Sequence, residues 1–152
     1  MTNVYPAINQ NSTQMAVRYT YGGKQCYQIY NLAKGRFINP RNPVKRICLS
    51  ATSGDFQGFD LYGTSIYTIE GSPRKSFLLG YDRSRRYQPT KIRRYNYAVR
   101  SKKTITVRGA KTLSFREPEG IKVLAGGQIY MMYVSNTLTN QSCNIYRVKR
   151  KI

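Results

Sequence analysis

Apolar residues recur along most of this chain at every second position, not at the 3.6-residue spacing of a helix. Residues 16–21 (AVRYTY) and 24–30 (KQCYQIY) alternate in this way and flank Gly22-Gly23. Two alternating runs joined by two glycines predict a β-hairpin. Residues 35–43 contain Pro40, Asn42 and Pro43 and read as a loop, followed by a short strand over 44–51 and a turn at 53–55. Gly58 and Gly63 interrupt residues 56–69, which predicts one bent strand or two short ones. A turn at 70–73 precedes a strand over 75–81 and a basic loop over 82–94.

Residues 95–108 read as one long alternating strand. Tyr97, Val99, Ile105 and Val107 share one parity; Asn96, Arg100, Lys102, Thr104, Thr106 and Arg108 share the other. Glu117-Pro118-Glu119-Gly120 carries a turn signal after a short segment at 112–116, and 121–124 leads into Gly126-Gly127. Residues 128–134 (QIYMMYV) are apolar on both parities, as for a strand covered on both faces. The last strand, 144–152, sets Tyr146, Val148 and Ile152 against Ile145, Arg147, Lys149 and Lys151. Eight or nine short strands between Gly, Pro and Asn turns predict an all-β fold, an antiparallel β-sandwich or barrel. Residues 1–14 are polar and contain no Lys or Arg; they read as a flexible N-terminal arm, or a strand that orders only on a neighbour, ahead of a single domain over 15–152.

Charge adds a partner to this picture. The 152 residues carry 26 Lys and Arg, six Asp and Glu and no His, a net charge of +20. So much self-repulsion on a small chain calls for an anionic partner, and nucleic acid is the usual one. The cations are clustered: Arg83, Arg85, Arg86, Lys91, Arg93, Arg94, Arg100, Lys102, Lys103, Arg108 and Lys111 follow one another with no acid between Asp82 and Glu117. Parity puts Arg94, Arg100, Lys102 and Arg108 on one face of a strand, and Arg147, Lys149 and Lys151 on one face of another. These fourteen residues form the expected nucleic-acid-binding set, with Tyr87, Tyr95 and Tyr97 as candidates for stacking on unpaired bases. Without a recognition helix or zinc finger, the expected binding tolerates sequence and weakens with salt.

Candidate chemistry narrows the function to binding. The carboxylate pairs Asp55/Asp60 and Glu117/Glu119 read as turn residues, no His is present to serve a nucleophile, and no phosphate-binding glycine motif occurs. An enzyme is not expected, nor a cofactor, a metal site, a small-molecule substrate or a membrane partner. Cys26, Cys48 and Cys143 are far apart and odd in number, and read as buried free thiols of a reducing compartment.

The end of the chain, GGQIYMMYVSNTLTNQSCNIYRVKRKI (residues 126–152), resembles the closing strands of the single jelly-roll capsid proteins of small circular single-stranded DNA viruses, such as geminiviruses, nanoviruses and circoviruses. The resemblance implies a single jelly roll of about eight strands over residues 15–152. It also implies a coat protein that self-assembles into an icosahedral shell, resident in the virion and in the host nucleus or cytoplasm during assembly. The packaged partner would be single-stranded DNA rather than RNA. About 60 copies would offer on the order of 1,200 positive charges, enough for a genome of a few thousand nucleotides. Those families usually carry an Arg-rich N-terminal arm, and residues 1–14 do not, so genome contacts would fall to the folded domain. The competing expectations are a β-barrel single-strand-binding or ribosome-associated protein, and a viral penton or tail component that meets an acidic protein.

Overall fold

The computed structural model describes residues 4–34, 36, 38–50, 55–71, 89–110, 113, 117–136, 141–149 and 152. Eleven strands in three antiparallel sheets account for most of these residues. The N-terminal sheet contains β1 (Tyr5–Ile8), β2 (Gln14–Tyr21), β3 (Lys24–Asn31) and β4 (Lys45–Ser50), in that order. The central sheet contains β5 (Phe56–Tyr62), β6 (Ser65–Glu70), β7 (Thr90–Asn96) and β8 (Ser101–Val107), again in order. The C-terminal sheet contains β9 (Glu117–Leu124), β10 (Gln128–Asn136) and β11 (Gln141–Arg147), with β10 in the middle. Gly22 and Gly23 turn β2 into β3 with φ of +54° and +70°. Both central residues of such a turn need the left-handed region, which explains the glycines.

The chain is an antiparallel β-sandwich, as its alternation predicts, with the central sheet covered on both faces. One parity of that sheet brings Phe59, Leu61 and Ile66 against Ala16, Tyr27, Ile29 and Ile47 of the N-terminal sheet. The other parity brings Tyr67, Ile69 and Ile92 against Val123, Ile129, Met131 and Tyr133 of the C-terminal sheet, joined by Val148 and Ile152. β6 is therefore buried at all six positions. This corrects the expectation for 128–134: in β10, Ile129, Met131 and Tyr133 are buried while Tyr130, Met132 and Val134 are only half-buried. The doubly covered strand is β6, whose Ser65, Thr68 and Glu70 disguise it as amphipathic.

Among the described residues the strand order does not bring out the Greek keys of the expected jelly roll. Within each sheet every hydrogen-bonded neighbour is the next strand in sequence. A jelly roll interleaves sequence-distant strands through Greek keys; the described strands form three consecutive meanders. The central and C-terminal sheets meet where β5 runs beside β9. A Cβ on Gly58 would lie 3.4 Å from the Cα of Gly120. Asp60 fastens this edge. Its buried carboxylate accepts the Val123 N–H at 2.7 Å and the Lys122 ammonium at 3.0 Å.

Three local readings change as well. Residues 5–8 form β1 on the edge of the N-terminal sheet, in register with Met15–Arg18, so this part of the polar N-terminal stretch is a strand. Glu117–Gly120 opens β9 instead of a turn; β10 accommodates it through an irregularity between Met132 and Tyr133 that leaves Glu119 unopposed. Cys26 and Cys48 are not free thiols. Register places them directly opposite on β3 and β4, and they form a disulfide, while Cys143 is free and exposed. That removes the ground for expecting a reducing compartment. The bond closes a 22-residue separation, for which loop entropy predicts a stabilisation of about 3 kcal/mol. Chemical denaturation should thus show a loss of this order on reduction or in a Cys26→Ser/Cys48→Ser variant, and thiol titration under non-reducing denaturing conditions should find only Cys143.

Candidate nucleic-acid interface

The basic cluster folds as a hairpin, not as the single strand that alternation suggests. β7 ends at Asn96, whose side-chain oxygen accepts the N–H groups of Ala98 and Val99 at 3.0 and 3.3 Å. This Asx-type contact reverses the chain over residues 97–100. Arg100 takes φ of +53° and hands over to β8. Tyr95 consequently faces Lys102, Arg94 faces Lys103 and Arg93 faces Thr104 across the ladder. The expected row Arg94, Arg100, Lys102, Arg108 is split. Lys91, Arg93, Tyr95 and Lys102 share the face toward the N-terminal sheet, and Arg94 and Lys103 share the opposite one. Lys91, Arg93 and Arg94, expected in a loop, are residues of β7.

Two of these cations hold the fold. The Arg93 guanidinium lies 3.0 Å from the fully buried Glu70 carboxylate. Arg94 donates to the Ser65 hydroxyl at 3.0 Å and to the Ile152 carbonyl at 3.2 Å, with Tyr67 beneath it. Arg100, Lys102, Lys103 and Arg108 are exposed, and Lys91 is half-buried. Arg147 and Lys149 are exposed at the end of the C-terminal sheet, away from the hairpin in strand order. Arg83, Arg85, Arg86, Lys111, Lys151 and Tyr87 lie outside the described residues.

The aromatic candidates divide similarly. Tyr97 anchors the turn: its hydroxyl donates to Gln14 Oε1 at 3.4 Å and lies 3.3 Å from the Gly63 carbonyl, and burial raises its pKa. Tyr95 is half-buried on the N-terminal-sheet side, with the Lys102 ammonium 6.0 Å from its ring centre. Comparison with protein-family models and with curated proteins finds no match.

Beside Tyr95 the two sheets part to leave a cavity of about 150 Å³. It lies between β4 and the hairpin, with Gln25, Leu49, Ile66, Thr68, Glu70 and Arg93 among its lining residues. Periodicity could not have found this group, because Gln25, Leu49 and Thr68 come from strands remote in sequence and Glu70 carries the signature of a turn. Behind it lies a buried polar network. The Tyr27 hydroxyl donates to Gln25 at 3.3 Å, and the buried Arg18 stacks 3.5 Å from the Phe56 ring centre. Burial raises the Tyr27 pKa, with Arg18 opposing and Glu70 reinforcing the shift. The remaining described acids stand elsewhere. Asp55 and Glu119 are exposed and Glu117 is half-buried, all near the starts of β5 and β9. Burial and the neighbouring Glu117 push the Glu119 carboxyl above its ordinary range.

Proposed function

We propose that this protein binds single-stranded nucleic acid, as a structural or packaging protein rather than a catalyst. The observation that carries the reading is the hairpin: four exposed cations, Arg100, Lys102, Lys103 and Arg108, follow one another on and beside β8, next to a half-buried tyrosine. Phosphates supply the counter-charge such a ridge needs, and a stacking ring beside it suits unpaired bases. Binding of a single-stranded DNA oligonucleotide, followed by fluorescence anisotropy from low to physiological salt, tests it. The expected result is a log–log slope steeper than about −2, from about 0.7 per phosphate contact. No binding at low salt, or binding insensitive to salt, overturns the reading.

Assembly into a coat or shell is the fuller form of this proposal, and its support comes from the C-terminal sheet, not from the strand order. The outward parity of that sheet carries Tyr130, Met132, Val134, Leu124 and Ile145, the last two 44% and 71% exposed. A row of partly exposed apolar side chains is a surface that a second copy can bury. Light scattering should show particles whose formation is lost in Ile145→Lys, with circular dichroism unchanged. A wild type that stays monomeric at high concentration with oligonucleotide present removes the shell and leaves the binding protein.

A further inference from the structure

The cavity beside Tyr95 has the size and chemistry of a ligand site. Its volume of about 150 Å³ suits one six-membered ring, since an apolar cavity of this size accommodates benzene. A fused purine would overhang its mouth. Leu49, Ile66 and Tyr95 supply apolar walls, and the Glu70–Arg93 ion pair makes part of the lining polar. Gln25 adds the deciding feature. It is 8% exposed, its side-chain oxygen accepts the Tyr27 hydroxyl, and its amide N–H groups donate to no protein group among the described residues. Gln25 lines the cavity, so its amide can donate to a ring carbonyl that enters there.

Resting on the nucleic-acid reading, we propose that this cavity is a pocket for a single pyrimidine base, with the adjoining phosphates held along β8 by Lys102 and its exposed neighbours. Every pyrimidine carries a ring carbonyl at C2, which takes the Gln25 amide, and a flat face that stacks on Tyr95. Cytosine, thymine and uracil share the C2 carbonyl and the flat face that Gln25 and Tyr95 would take, so the pocket selects ring size and not one pyrimidine. Single-stranded DNA and RNA both supply such a base.

The test uses labelled oligo(dT), oligo(dC), oligo(dA) and an abasic strand of equal length, with the full chain at fixed salt. The pyrimidine strands should bind roughly fivefold or more tighter than the abasic strand, the scale of one stacked base, and tighter than oligo(dA). Thr104→Phe sets a ring at the cavity mouth from an exposed position opposite Arg93. It should abolish that preference and leave the salt slope intact, because no cation is removed. Gln25→Met, which keeps the shape and deletes the donors, should reduce the same preference with far-UV circular dichroism unchanged. Equal, salt-dependent binding of all four strands, or a preference that survives both variants, overturns the pocket while leaving polyanion binding in place. Failure of every strand to bind removes both.

Discussion

Replacing Arg100, Lys102 and Lys103 together by glutamate should lower the affinity for single-stranded DNA on the order of a hundredfold or more near 0.1 M salt, and flatten the salt dependence by about two units of slope. The three side chains are exposed, so the fold should survive, and an unchanged thermal midpoint with lost anisotropy is the expected pair of results. Arg93 and Arg94 are the instructive controls. They belong to the same basic run, yet one neutralises buried Glu70 and the other ties β7 to Ser65 and to Ile152. Reversing either should unfold or loosen the protein, so a loss of binding there would report stability rather than contact. If the triple variant retains full affinity, the interface lies elsewhere, with Arg147 and Lys149 the next described candidates.

Glu70→Gln should cost about 3–5 kcal/mol of stability, the usual consequence of removing one partner of a buried charge set. For a chain of this size that lowers the thermal midpoint by on the order of 10 °C. Glu70 is 1% exposed and has Arg93 against it, while Arg18, 6% exposed, acts with it on Tyr27 from the facing sheet. Neutralising the carboxylate removes the charge that Arg93 pairs with and that balances buried Arg18 around Tyr27. Replacing Arg18 by Met and Glu70 by Leu in one chain should cost less than the sum of the single changes, because the charges leave together. Urea unfolding of the single and double variants measures both numbers. A loss below 1 kcal/mol for Glu70→Gln would show that solvent reaches the network.

The period of two was a sound guide to what each strand buries, and a poor guide to where strands end. Tyr146, Val148 and Ile152 reach the core as alternation predicts. Between 95 and 108 the same alternation runs straight through a reversal, because Tyr97 and Val99 happen to keep the parity of Ile105 and Val107. The signal for the turn was Asn96, whose side chain closes it, and not a glycine or proline. The disulfide was invisible for a related reason: spacing alone does not say that Cys26 and Cys48 face each other until the β3–β4 register is known. The cavity was out of reach altogether. It exists only where two sheets face, and it is lined by residues that one-dimensional patterns assign to a hairpin, a loop and a turn.

Among the described strands β8 is at the edge of the central sheet, and the position of its lysines has a second meaning. An unpaired strand edge invites the edge of another copy, and charged side chains are a common guard against that. Exposed Lys102 and Lys103 would serve as such a guard, so alanine at both positions should favour aggregation, whereas glutamate should not. A bound polyanion would neutralise them just as alanine does, so occupying the hairpin also lifts the barrier to edge-to-edge contact between copies.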